Sequence, residues 1–244
     1  MEARTALVTG SSSGIGFEVA KQFCDAGWNV VINGRDAVRL DEAAEALGVG
    51  RHVAAVAGST SDRATGEAMA KAALDRFGRV DALVNNAGEF GFKPFLQVGD
   101  DDLDHYYAVN LKGTFLTTQA AVRAMVAHDN PGSVVNIGTV LAEHGMSWVT
   151  ASAALVSKGG IHTLTVALAA ELSPLGIRVN CVAPGFVRTR LIEGGDEKAL
   201  SASALLGRVG EAREIAAAVV YLTNAEFVTG RVFDVDGGYV GGRR

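Results

Sequence analysis

Proline and cysteine are scarce in this chain, with four of one and two of the other in 244 residues. Thirty glycines beside so few prolines point to tight turns and close backbone approaches rather than to disorder. The cysteines, Cys24 and Cys181, each lie inside an apolar stretch. Both are expected as buried core thiols, with a disulfide or a reactive thiol as the alternative. An excess of basic charge is also missing. The net charge is −5, and Arg231, Arg243 and Arg244 are too scattered to form a phosphate-binding patch, which argues against a nucleic-acid partner. No basic-then-apolar leader opens the sequence, and no apolar run approaches the ~18 residues a membrane span needs. The expectation is a cytoplasmic protein with no membrane partner. His52, His105, His128 and His162 have no ligand spacing with one another or with cysteine, so no metal site is expected.

What is present is an ordinary globular balance, 48% hydrophobic and 20% charged, which supplies a core for one domain over residues 1–244. Short apolar runs of strand length recur at 4–9, 29–33, 52–56, 81–85, 133–137, 177–182 and 231–235. Helical spacing fills the intervals, at 17–26, 37–48, 62–77, 101–128, 155–172 and 211–222. Near-continuously apolar strands alternating with helices specify an α/β protein with a parallel sheet covered on both faces. The stretch 193–207 is polar and poorly periodic, and reads as an exposed connection or a lid.

Gly10-Ser11-Ser12-Ser13-Gly14-Ile15-Gly16 lies directly between the first strand and the first helix. Such a turn lets a pyrophosphate approach the backbone, and the helix N-terminus offers free N–H groups and a partial positive charge. A glycine cluster alone also serves plain turns; its strand–turn–helix context makes dinucleotide binding the stronger reading here.

Thr9 to Gly16 resembles the TGxxxGxG cofactor turn of the short-chain dehydrogenase/reductase family. Asn85-Asn86-Ala87-Gly88 is similar to that family's NNAG segment, and Asn110 to its helix asparagine. Pro184-Gly185-Phe186-Val187-Arg188-Thr189 resembles the loop on the nicotinamide side, and Asp236-Gly237-Gly238 the C-terminal turn. The match runs in order from residue 4 to about 240. It implies a single-domain doubly wound Rossmann sheet, assembled as a homotetramer or homodimer. It also implies a cofactor site built from Gly10, Ser12, Ser13, Gly14, Ile15, Gly16, Arg35, Asp62, Asn86, Ala87, Gly88, Lys158, Pro184, Gly185, Val187 and Thr189. After the second strand stands Arg35 rather than a carboxylate, which favours NADPH through its 2′-phosphate, with NADH as the alternative if Arg35 is a plain turn cation. Ser13 stands where many NADP-dependent relatives carry a basic residue. The usual adenine-contacting aspartate is replaced by Ser59, ahead of Asp62.

The family's serine, tyrosine and lysine map onto Thr139, Ala154 and Lys158, so the tyrosine is missing. The segment from Thr139 to Lys158 is about two residues longer than is usual, and no residue slides into the gap. Losing a positioned acid costs typically about 10²- to 10⁴-fold without forbidding hydride transfer. His144 is the side-chain candidate for a substitute donor, and a phenol on the substrate is another source. Trp148 and Phe186 suit a flat aromatic substrate or simple packing. The reading is an NADPH-dependent ketoreductase with an atypical or substrate-assisted proton donor, acting on a small-molecule carbonyl substrate such as a bulky aromatic or polyketide-like ketone. The alternative is a catalytically inactive dinucleotide-binding sensor or oligomer subunit.

Overall fold

The structure, a computed structural model, describes residues 3–48, 52–189, 192, 194 and 196–239. Along the first strand, β1 (Thr5–Val8), every residue is buried, because successive side chains alternate between two separate cores. Ala6 and Val8 enter a cluster with Val19, Phe23 and Leu40, whereas Leu7 enters another with Met69, Leu83 and Met125. A strand buried on both faces cannot alternate with polar residues, which explains the unbroken apolar runs.

The chain continues through α1 (Gly14–Asp25), β2 (Asn29–Gly34), α2 (Ala37–Ala46), β3 (Val53–Ala57), α3 (Arg63–Phe77) and β4 (Ala82–Asn85). Then come α4 (Asp100–Tyr106), α5 (Gly113–Ala127), β5 (Ser133–Ile137), α6 (Ser152–Leu172), β6 (Arg178–Pro184), β7 (Val187–Arg188), α7 (Glu197–Ala202), β8 (Gly210–Glu211), α8 (Ala212–Asn224) and β9 (Val232–Val235). Seven strands form one sheet in the order β3-β2-β1-β4-β5-β6-β9, every pair parallel. Helices α1, α2 and α8 cover one face, and α3, α5 and α6 the other. This is the doubly wound, single-domain α/β arrangement. Strand order reverses between β1 and β4, and the crevice beyond their carboxyl ends is where such sheets bind ligands.

Four sequence expectations are revised. The single helix expected at 101–128 is interrupted by a π-helical turn at Tyr107–Lys112, which carries Asn110. The stretch 193–207 contains the short helix α7, capped by Asp196, whose carboxylate accepts the Lys198 and Ala199 N–H groups at 3.0 and 3.2 Å. Its positions 193 and 195 lie outside the described residues. Cys181 is buried as expected, but Cys24 is only half-buried. Finally, α6 with the turn after it is apolar and long enough to cross a membrane by length and composition, with a mean hydropathy of 1.3. It lies against β6 and sends Ala154, Lys158, Ile161 and Thr165 inward, so the same apolarity builds the core of a sheet protein.

Candidate active site

The glycine turn is held open by its neighbour in the sheet. Thr9 Oγ1 accepts the N–H groups of Asn86 and Ala87, both at 3.0 Å. Asn86 Nδ2 donates to the carbonyls of Thr9 and Gly10 at 3.0 and 2.8 Å. The close approach excludes side chains: a Cβ on Gly10, whose φ is +60°, would sit 2.7 Å from Ala87 Cα, and one on Gly16 would strike Asn86 Nδ2. Ser13 is the N-cap of α1 yet makes no capping bond from its side chain, so the first N–H groups of that helix remain open to a ligand. A glycine cradle against an uncapped helix start at the sheet's switch point fits the pyrophosphate of a dinucleotide.

Gly88 carries the cradle to the reactive end. A Cβ there would lie 2.9 Å from both Asn110 Oδ1 and Lys158 Nζ. Asn110 is completely buried in its π turn. Its side chain accepts from the Glu89 N–H at 2.7 Å and donates to the Glu89 carbonyl at 2.9 Å and to Ser157 Oγ at 2.8 Å. The asparagine therefore clamps the segment after the NNAG motif onto α6.

Lys158 Nζ donates to the Ile137 carbonyl at 2.9 Å. Burial pulls its ammonium down to about 8 from the ordinary 10.5. Thr139, at the end of β5, accepts the Leu141 N–H on its hydroxyl at 3.3 Å and lines the same cavity as Lys158. Ala154 has no solvent exposure and is not among the residues lining that cavity.

The cavity measures about 300 Å³. It gathers Gly10, Ser13, Gly14, Ile15, Asn86, Gly88, Thr139, Lys158, Pro184, Gly185, Val187 and Thr189 from the expected set. Ser12 lies beside it, where a Cβ on Gly34 would come 3.2 Å from the Ser12 hydroxyl, and Ala87 and Gly16 form the turn's floor. Asp62 is instead an exposed N-cap of α3, and Ser59 hydrogen-bonds Ser61 at 2.6 Å. His144 is not among the lining residues. Its ring lies 6.5 Å from that of Tyr239, whose hydroxyl donates to the His144 carbonyl at 3.2 Å. Among the described residues no cluster of His, Cys, Asp and Glu could hold a metal ion.

Three features were not anticipated from the residues. Glu89 lines the cavity and pairs with Arg35 at 2.7 Å; a charged residue directly after the NNAG segment was the available signal. Buried His162 faces the Gly138–Thr139 backbone, with its Nδ1 3.1 Å from Glu143 Oε1. Phe90 and Phe92 form an edge-to-face pair in the cavity wall, opposite the anticipated Phe186.

A family profile described as enoyl-(acyl carrier protein) reductase matches residues 10–240. The chain belongs to the short-chain dehydrogenase/reductase family. The chain is 38% identical over 248 residues to the galactitol 2-dehydrogenase (L-tagatose-forming) of Cereibacter sphaeroides, covering 98% of this chain and 96% of that one. It is 35% identical over 246 residues to a 3-oxoacyl-(acyl-carrier-protein) reductase of Thermotoga maritima, covering 98% and 99%. The crystal structure of gox2181 superimposes with a TM-score of 0.93 at 31% identity, over 98% of this chain and 96% of that one. The protein is accordingly an NAD(P)-dependent oxidoreductase acting on a carbonyl/alcohol pair.

Proposed function

We propose that the protein is an NADPH-dependent ketoreductase for a bulky, aromatic or polyketide-like ketone, and that its proton comes from outside the usual tyrosine. The observation that carries this reading is Lys158, buried beside Thr139 with its ammonium pulled to about 8. An acid with that affinity gives up a proton readily near neutrality, whereas an ordinary lysine does not.

A nicotinamide dinucleotide held along Gly10, Gly14, Asn86, Gly88 and Lys158 would supply the hydride. Thr139 directs its hydroxyl at the substrate carbonyl oxygen. As the alkoxide forms, a proton leaves the Lys158 ammonium, and solvent later restores it. Where the substrate carries a phenolic hydroxyl beside its carbonyl, that hydroxyl gives its own proton to the alkoxide and takes one from Lys158. The carbonyl gains a hydride and a proton and becomes an alcohol.

The apolar walls support the choice of ketone. Phe90, Phe92 and Phe186 line the cavity, and Trp148 stacks on Phe186 with ring centroids 5.8 Å apart at 17°. Exposed Arg35 supports NADPH. His144, away from the cavity lining, is the weaker donor. Exposed Tyr107, Phe115, Val156 and Val166 on the helical layer support a homodimer or homotetramer. The retained clamp of Asn110 on Ser157 favours an enzyme over a dinucleotide-binding sensor, which needs no such clamp.

The test is NADPH consumption against a panel of ketones and quinones, beside a cofactor-binding titration. Turnover of aromatic ketones is expected. Tight NADPH binding with no turnover of any carbonyl compound would favour the sensor reading.

A further inference from the structure

Arg35 and Glu89 face each other across the cofactor crevice. Arg35 follows β2 and Glu89 follows β4, and these strands flank β1 on opposite sides. All three are parallel, so their carboxyl ends share one edge of the sheet. An ion pair between Arg35 Nη1 and Glu89 Oε1, 2.7 Å long, therefore passes over the end of β1, where the glycine turn begins. Neighbouring strands lie about 4.8 Å apart, and the two long side chains together span that double step.

Glu89 is not free to swing away. Its backbone N–H and carbonyl are both held by Asn110, at 2.7 and 2.9 Å. Its other carboxylate oxygen, Oε2, lies 2.8 Å from His105 Nε2. Burial pushes this carboxyl up, but the hydrogen bond from His105 and the charge of Arg35 outweigh it, and the group stays below the usual carboxylate range. The crevice thus carries a fixed anion opposite the arginine that a 2′-phosphate would use.

Resting on the dinucleotide reading above, we propose that Glu89 sets the cofactor preference of this site by competing with the 2′-phosphate of NADPH for Arg35. A 2′-phosphate must take Arg35 from an anchored carboxylate and then lie near that carboxylate. A ribose 2′-hydroxyl needs nothing from Arg35 and can donate a hydrogen bond to Glu89, the part an acidic residue after β2 plays in NAD-binding folds. Glu89 thereby limits the advantage that Arg35 gives NADPH. Both side chains are partly exposed, so the competition is worth a modest factor rather than an absolute switch.

The test is a fluorescence titration of NADPH and NADH, at one ionic strength, with the unmodified protein, Glu89→Gln, Arg35→Gln and the double variant. Circular dichroism first checks that each variant keeps the fold. Glu89→Gln is expected to tighten NADPH at least threefold while leaving NADH unchanged or weaker, and the gain should vanish in the Arg35→Gln background. The proposal is overturned if Glu89→Gln alters both affinities by the same factor, leaves NADPH unchanged, or tightens it equally without Arg35. An unmodified protein that binds neither dinucleotide would overturn the functional reading as well, and so is distinguishable from failure of this inference alone.

Discussion

Lys158 reaches the Ile137 carbonyl at 2.9 Å, and among the described residues no carboxylate pairs with its ammonium. A buried cation bound only by a neutral carbonyl carries an uncompensated desolvation cost. Its presence on the floor of the cavity is hard to account for by stability, and each of the first two predictions follows from it.

Stability should register the buried charge. The folded-state value, about 8, lies below the 10.5 of the unfolded chain. Between those values the unfolded state binds more protons, so this group's contribution to stability rises with pH across that window and is flat below it. Cys24 and Cys181 oppose the rise above about 9, because burial pushes their thiols up to about 11 and about 12. The difference between the unmodified protein and Lys158→Met cancels the Cys24 contribution, and Cys181, which interacts with Lys158, affects it only above about 9. Chemical denaturation should find Lys158→Met more stable at pH 7, by up to about 3 kcal/mol, with the advantage shrinking as pH rises past 8.

Activity should move the other way. Reduction needs the protonated ammonium, so kcat for ketone reduction should hold below about 8 and fall as pH rises through it. Lys158→Met should lower kcat by at least 10²-fold. A profile level from pH 6 to 10 would remove Lys158 as the acid.

How much of this was legible from residues alone depended on range. The sheet was readable because β1, β2 and β4 are buried on both faces and so have continuously apolar centres, with polar residues only at their ends. The cofactor turn was readable because Gly10, Gly14 and Gly16 serve a local backbone need. The π turn at Tyr107–Lys112 was not, since a helical sequence pattern is the same on both sides of it. The turn rests on tertiary packing, with Leu111 against Gly160 and Asn110 on Ser157. The Arg35–Glu89 pair was equally hidden, because only the strand order brings two motif-flanking charges together. Ala169 illustrates the limit on a small scale. It looks suited to a helix–helix interface beside Ala167 and Ala170, but it is buried in the core while its two neighbours are exposed.

Gly10→Ala should lose the cofactor. Its φ of +60° costs an alanine about 1–2 kcal/mol, and the new methyl would meet Ala87 Cα at 2.7 Å. NADPH affinity is expected to fall more than tenfold by titration, with a lower melting temperature.

Light scattering at micromolar concentration should give a multiple of 25.3 kDa. Val156→Glu, placing a charge on a residue 71% exposed in the isolated chain, should shift the mass toward that of one chain.

The central claim is that a phenolic hydroxyl on the substrate, recharged by Lys158, stands in for the tyrosine missing at position 154. The most direct measurement compares NADPH-dependent turnover of two aromatic ketones of the same skeleton, one with a phenolic hydroxyl beside the carbonyl and one without, in the unmodified protein and in His144→Ala. The hydroxylated ketone should be reduced at least 10²-fold faster, and His144→Ala should change neither rate materially. Equal rates for both ketones, within the 1 to 10³ per second typical of enzymes, or a large loss for both in His144→Ala, would contradict it.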